Sequence, residues 1–241
     1  DYFKSMGCDE FLNLIPSQGD SLFLSPSTPQ EVSDVVNKLK SKASNSDFPV
    51  KAVKLINEHI SIIISYLFNL SVQTSVYPDA LKIGRVTPIF KKGDKCALKN
   101  YRPITILPTL NKIFEKLLLR RLVSFLNCNS ILSDNQFGFR AGRDTGQAAL
   151  KLLSLILPPY HRKEYCACLF IDFSKAFDTV KHDLLLRKLS RMGIRGLANE
   201  YLRSYLTNRR QYTVFEGSSS NLNAVTTGVP DRKSTRLNSS H

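Results

Sequence analysis

The run from Tyr165 to Ile171 is apolar without interruption and ends on Asp172. So short and uniform a segment reads as a strand buried on both faces, and it predicts a sheet near the centre of the fold. Cys166 and Cys168 lie within it and are expected in that strand or in the core. Asp172 then stands at the strand's lip, where a carboxylate either caps the turn that follows or holds a hard divalent cation. Mg²⁺ is one such ion and takes only one or two protein carboxylates.

The patterning around this strand alternates between helix and strand. Thr28, Pro29 and Glu31 make a capping-box start, and Val32, Val35, Val36 and Leu39 predict a helix over about 29–40. Val53, Ile56, Ile60, Ile63, Leu67 and Leu70 predict one long helix over about 50–72. Arg85 to Phe90 and Tyr101 to Ile106, joined through Lys91-Lys92-Gly93-Asp94, predict a basic β-hairpin. Ile113, Phe114, Leu117, Leu118, Arg121 and Phe125 then share a helical stripe over 110–126, with Lys112, Lys116 and Arg120 pointing out. A helix over 145–157 is expected to stop at Pro158-Pro159. Helices over 184–192 and 197–206 and paired strands over 211–216 and 225–229 complete an α+β pattern.

Hydrophobic residues at 42% and charged residues at 22% of 241 exclude intrinsic disorder. The apolar stretch Ile60 to Leu70 is broken by Ser61, Ser65, Tyr66 and Asn69, short of the ~20 apolar residues of a membrane span. Asp1 to Phe11 has no initiator Met, basic leader or apolar h-region, so the chain is expected to begin inside something longer, without a secretory signal. Cys8, Cys96, Cys128, Cys166 and Cys168 are odd in number and form no CxxC pair, as expected of reduced thiols in an intracellular protein.

The formal charge of +14 is unevenly placed. Residues 1–81 carry 6 basic and 9 acidic side chains, residues 82–143 carry 13 and 3, and residues 144–241 carry 15 and 8. A middle segment at +10 is the footprint expected of a polyanion-binding surface, because Lys and Arg displace counterions condensed on a phosphate backbone; a solvated basic face is the alternative.

Asp172 belongs to a longer string, Leu169-Phe170-Ile171-Asp172-Phe173-Ser174-Lys175-Ala176-Phe177-Asp178-Thr179-Val180, followed by His182-Asp183-Leu184-Leu185. This resembles the first palm motif of reverse transcriptases from non-LTR, LINE-type, jockey-like retrotransposons. Val86 to Asp94, Asn100 to Thr105 and Lys112 to Lys116 resemble the fingers motifs of the same family, and Gln136 to Arg140 with Gly142, Arg143 and Thr145 resembles the block that follows. The ordered motifs span roughly Phe23 to Pro230.

The resemblance implies right-hand polymerase fingers and a partial palm, an antiparallel sheet packed by helices, behind an N-terminal helical extension. The implied division is an extension over 1–76, fingers over 77–164 and the first part of the palm over 165–230. Asp172, with the Phe173 carbonyl, would bind the two Mg²⁺ ions of nucleotidyl transfer. Phe177 would be the steric gate against a ribose 2′-hydroxyl, its bland alternative being a core aromatic. Lys92 and Arg102 would grip the triphosphate, with Lys91 able to exchange roles with Lys92. Lys95, Lys99, Arg140 and Arg143 would meet nucleic acid, or in the case of the two arginines remain surface charge. The implied partners are an RNA template, a DNA primer and deoxynucleoside triphosphates, with no membrane, in the cytoplasm and nucleus. Rival readings are a noncatalytic RNA-binding remnant of a retroelement and a group II intron maturase-like polymerase.

Thr227-Gly228-Val229-Pro230 resembles the opening of the family's next motif, which should continue with Gln-Gly and lead to the paired aspartates of the third palm motif; the sequence contains no Asp-Asp pair. Asp231 to His241 is instead similar to translated sequencing adapter and is set aside from fold reasoning. The reading is therefore of an incomplete polymerase, inactive as it stands.

Overall fold

The computed structural model describes residues 17–40, 48–173 and 176–229. These residues fall into two compact units, one built from the chain up to Val123 and from Lys175 onward, the other from Ser124–Ser174.

In the first unit, helix α1 (Pro29–Asn37) begins as its sequence requires: the Thr28 hydroxyl accepts from the Glu31 amide at 3.1 Å, and Pro29 occupies the first turn. Its Val32, Val35 and Val36 are buried. The expected long second helix is two, α2 (Val50–Leu55) and α3 (Asn57–Gln73), broken at Ile56. The break coincides with the Asn57 amide, which donates to the Ser33 carbonyl and hydroxyl and to Asn37 Oδ1, tying the start of α3 to α1.

The face that α3 buries is not its most apolar one. Asn57, Ser61, Ile64, Ser65, Phe68 and Ser71 point inward, while Ile63, Leu67 and Leu70 of the sequence stripe are exposed. Polar groups turn inward because each finds a partner. Ser61 donates to Asn57 Oδ1, Ser65 to the Ser27 carbonyl, and Asn69 brackets Ser27 through both its amide atoms. Small serines also let α3 approach the chain at Ser27 closely.

Strands β1 (Ile83–Phe90) and β2 (Tyr101–Ile106) form the expected antiparallel hairpin. Helix α4 (Thr109–Cys128) follows, burying Ile113, Phe114, Leu117, Leu118 and Arg121 from the predicted stripe. After the second unit the chain continues through α6 (His182–Arg191), α7 (Leu197–Leu206), β3 (Arg209–Phe215), β4 (Ser218–Ser219) and β5 (Asn223–Val225). The sheet order is β2-β1-β3-β4, with β5 on β3. It is mixed rather than purely antiparallel, since β1 and β3 run parallel. That pairing needs a long crossover, which residues 91–208, β2 included, provide, and such a contact leaves no local trace in sequence. The partner of β3 also starts two residues before the expected one, Asn223 pairing with Gln211 and Val225 with Arg209.

The core of this unit centres on aromatic rings. Tyr77 meets Phe114, Tyr201 and Tyr205 at centroid distances of 6.0, 5.6 and 4.9 Å, and Phe68 meets Phe114 edge-on at 5.3 Å. The phenols are satisfied inside it: Tyr77 donates to Asn111 Oδ1 at 2.7 Å and Tyr205 to Glu115 Oε1 at 2.6 Å.

The second unit contains helix α5 (Thr145–His161), capped by Asp144, whose carboxylate accepts from the Gln147 amide. The helix does not stop before Pro158-Pro159 but runs through both for another turn, because the φ of proline is itself helical and the helix ends shortly beyond. None of its residues is fully buried. The segment 164–173 is a clear departure from sequence expectation. No strand forms there, Tyr165, Leu169, Phe170, Ile171 and Phe173 are exposed, and Cys166 and Cys168 are exposed thiols rather than core residues. An apolar strand is stable only where neighbouring strands take up its amides and carbonyls, and no described strand runs beside this one.

Candidate nucleotide and nucleic-acid site

The hairpin fixes the basic residues that the sequence singled out. Register pairs Phe90 with Tyr101 and Ile89 with Arg102, so the two aromatic rings share one sheet face and Arg102 stands on the other. Phe90 and Tyr101 lie 5.5 Å apart between centroids, and Phe215 of β3 extends the row 5.7 Å beyond Tyr101. Lys95 places its ammonium 6.0 Å from the Phe90 ring.

The turn between the strands is built to present charge. Lys91 donates its amide to the Asn100 carbonyl at 2.8 Å, the Asn100 side chain donates to the Asp94 carbonyl at 2.8 Å, and Asp94 Oδ1 accepts from the Cys96 amide. Tyr101 donates its hydroxyl to the Lys95 carbonyl. Gly93 has φ +96° and a Cβ there would sit 2.8 Å from the Asn100 amide nitrogen, so this tight turn needs glycine. Asp94 and Asn100 thus serve the backbone, and Lys91, Lys92, Lys95, Lys99 and Arg102 are exposed. None of these five is in an ion pair among the described residues. By contrast Lys82 is buried against Asp79, and Arg120 and Arg121 both reach Glu31, so much of the charge at 82–143 is structural.

Arg140 and Arg143 belong to the second unit, where each organises its own loop. Arg140 donates to the Ser133 carbonyl, and Arg143 donates to the Asp134 carbonyl, pairs with its carboxylate at 3.3 Å, and lies 5.4 Å from the Phe137 ring. Phe137, Arg143, Gln147 and Lys151 line an open cleft beside α5.

Asp172 is in this second unit as well, exposed and without the strand expected to carry it. Among the described residues no three His, Cys, Asp or Glu side chains converge as a metal-binding group. The Asp172 carboxylate and the Phe173 carbonyl are hard oxygen donors, right in kind for Mg²⁺ and too few by themselves for two ions.

Phe177 lies in the first unit, half-buried on the loop before α6. Residues 226–229 are laid along that loop: Gly228 donates its amide to Val180 and Val229 donates to Phe177, each at 2.9 Å. His182 Nε2 is 2.7 Å from the Gly228 carbonyl. His182 and Gly228 lie inside the motifs, but the sequence alone assigns neither of them a task. A glycine followed by Val-Pro after a strand was the available signal for a special backbone position.

With these features in view, comparison with known proteins defines the class. The model of the reverse transcriptase (RNA-dependent DNA polymerase) family matches residues 89–231, and the chain belongs to that family. Among its relatives is the probable RNA-directed DNA polymerase from transposon X-element of Drosophila melanogaster, 35% identical over 213 residues that cover 86% of this chain and 23% of the relative. The RNA-directed DNA polymerase from mobile element jockey of the same species is 31% identical over 215 residues, 87% of this chain and 23% of the relative. That from transposon BS is 30% identical over 236 residues, 95% and 26%. One of these relatives comes from jockey, the kind of element to which the motifs pointed. The chain spans about a quarter of their length.

Proposed function

We propose that this chain supplies the fingers and the beginning of the palm of an RNA-directed DNA polymerase, and that its site residues act on a deoxynucleoside triphosphate and a primed RNA template. The observation that carries the reading is the hairpin turn inside the family match, where Asp94, Asn100 and Tyr101 hold the backbone while Lys92 and Arg102, like Lys91, Lys95 and Lys99, stay exposed and outside any ion pair among the described residues. Arg102 offers a planar fork to phosphate oxygens and Lys92 a point charge; Lys91 adjoins it at the strand end. Lys95 and Lys99, farther along the turn, meet the nucleic-acid backbone, as do Arg140 and Arg143 from the second unit's loop. Phe177 meets the sugar of the incoming nucleotide and excludes a 2′-hydroxyl.

Asp172 and the Phe173 carbonyl would hold Mg²⁺, which when bound would supply the charge to activate the primer 3′-hydroxyl and to neutralise the departing pyrophosphate. Further carboxylates are required to complete that site, so the chain by itself binds nucleic acid without extending a primer. Work in the cytoplasm and nucleus follows from the same reading. In a polymerase of full family length containing this segment, Asp172→Ala should abolish RNA-templated primer extension and Arg102→Ala should raise the KM for dNTP. Extension that survives Asp172→Ala would overturn the assignment.

A further inference from the structure

The loop that carries Phe177 exposes Ala176, Asp178, Thr179 and Lys181, and within it the Thr179 hydroxyl donates to the Ala176 carbonyl at 3.5 Å. Residues 226–229 tie it from outside. The amides of Gly228 and Val229 donate to the carbonyls of Val180 and Phe177, so the two backbones lie in contact. Gly228 makes that approach possible. Its φ is +85°, and a Cβ would stand 2.9 Å from Asp178 Cα, Asp178 O and Phe177 O, all backbone atoms that cannot swing aside.

His182 then fixes the clip to the scaffold. It is the first residue of α6, half-buried, and its Nε2 must carry the proton to pair with the Gly228 carbonyl at 2.7 Å. The rigidity of α6 thus passes through one side chain to residues 226–229, and from there through the Gly228 amide to Val180 and the Val229 amide to the Phe177 backbone.

We propose that His182 and Gly228 are positioning residues that set where the Phe177 ring stands and so set the discrimination between deoxyribonucleotides and ribonucleotides. The proposal rests on the reading of Phe177 as the residue facing the sugar. Selection by exclusion fails once the excluding group can retreat: a 2′-hydroxyl adds one heavy atom, and a shift of about 1 Å in a positioning group already changes rates by orders of magnitude.

Two measurements test it. In this chain, backbone amide exchange at Gly228 and Val229 is compared among wild type, His182→Leu, His182→Gln and Gly228→Ala. Protection should fall about fivefold in His182→Leu, further in Gly228→Ala, and be largely restored in His182→Gln, which keeps an N–H donor. Unchanged exchange in His182→Leu, or a Gln variant as loose as the Leu variant, would overturn the hydrogen-bonded clip. In a full-length polymerase carrying the segment, His182→Leu should lower the dNTP-over-rNTP ratio of kcat/KM several-fold, mainly by admitting rNTP, with dNTP kcat little changed. Phe177→Ala should remove most of that ratio. A ratio insensitive to Phe177→Ala would refute the reading of Phe177 while the exchange data judged the clip by themselves. A ratio that Phe177→Ala abolishes and His182→Leu leaves intact, despite loosened amides, would overturn the proposal.

Discussion

Arg121 and Glu31 form a two-pronged pair across the first unit, Nη1 to Oε1 at 3.1 Å and Nη2 to Oε2 at 3.0 Å. The same guanidinium donates to the carbonyls of Ser25, Pro26 and Leu117 and lies 5.2 Å from the Phe68 ring. One buried side chain thereby joins α1, the segment before it, α3 and α4.

Breaking that pair from one side should be costly. Glu31→Ala leaves a buried guanidinium without its counter-charge, and about 3 kcal/mol of stability should be lost, against less than about 1 kcal/mol for Glu200→Ala in the exposed Glu200–Arg203 pair. Urea unfolding of both variants makes the comparison. Equal effects would mean that the Arg121 network carries no more than a surface ion pair.

The tyrosine core should make the fold fail in alkali. Burial, with Glu115 next in effect, holds the Tyr77 phenol well above the ordinary tyrosine range, and burial pushes Tyr201 up to about 12. A phenol whose pKa is raised by folding keeps its proton in the native state while the unfolded chain releases it. This stabilisation is therefore complete below about pH 10 and is lost as pH climbs through 10 toward 12. Spectrophotometric titration should show two of the nine tyrosines ionising only as circular dichroism reports unfolding. Tyr77→Phe should cost about 1–3 kcal/mol at neutral pH, since it strands Asn111 Oδ1 beside an Nδ2 that already lacks a partner.

How far the sequence foretold this structure depended on whether the deciding interaction was local. Thr28 capping α1, the Ile113-Phe114-Leu117-Leu118 stripe and the Lys91 to Asp94 turn are all decided within a few residues, and each was legible. The α3 face was not, because Ser61 and Ser65 turn inward only on account of Asn57 and Ser27, and α1 lies far away in sequence. The run Tyr165 to Ile171 carried the clearest strand pattern in the chain, yet apolarity cannot supply the neighbouring strands that a ladder requires. At the site, the hairpin cations were readable as a cluster. Their separation from Arg120, Arg121 and Lys82, which are committed to carboxylates, emerged only with the fold.

This chain alone should not extend a primer. Two-metal transfer needs several carboxylates, and Asp172 has no convergent partners among the described residues. Primer extension on an RNA template with Mg²⁺ and dNTPs checks this, and robust activity abolished by Asp172→Ala would refute it.

Nucleic-acid binding should persist without catalysis, because phosphate neutralisation requires only accessible charge. Of the basic residues in 82–143, the exposed and unpaired ones on the hairpin are best placed to act, whereas Lys82 and Arg121 are buried in ion pairs. Each phosphate contact should contribute about −0.7 to the slope of log affinity against log salt on a single strand, or about −0.9 on duplex DNA. Replacing Lys91, Lys92, Lys95 and Lys99 together with Ala should therefore weaken binding at low salt and flatten that slope by up to about 3 on single strands. Exposed substitutions of this kind cost little stability, so circular dichroism and urea midpoints should be unchanged. Fluorescence anisotropy of a labelled oligonucleotide, titrated with salt, gives both affinity and slope. If neither moves, the four lysines lie off the nucleic-acid path, and the hairpin serves the incoming nucleotide alone through Arg102.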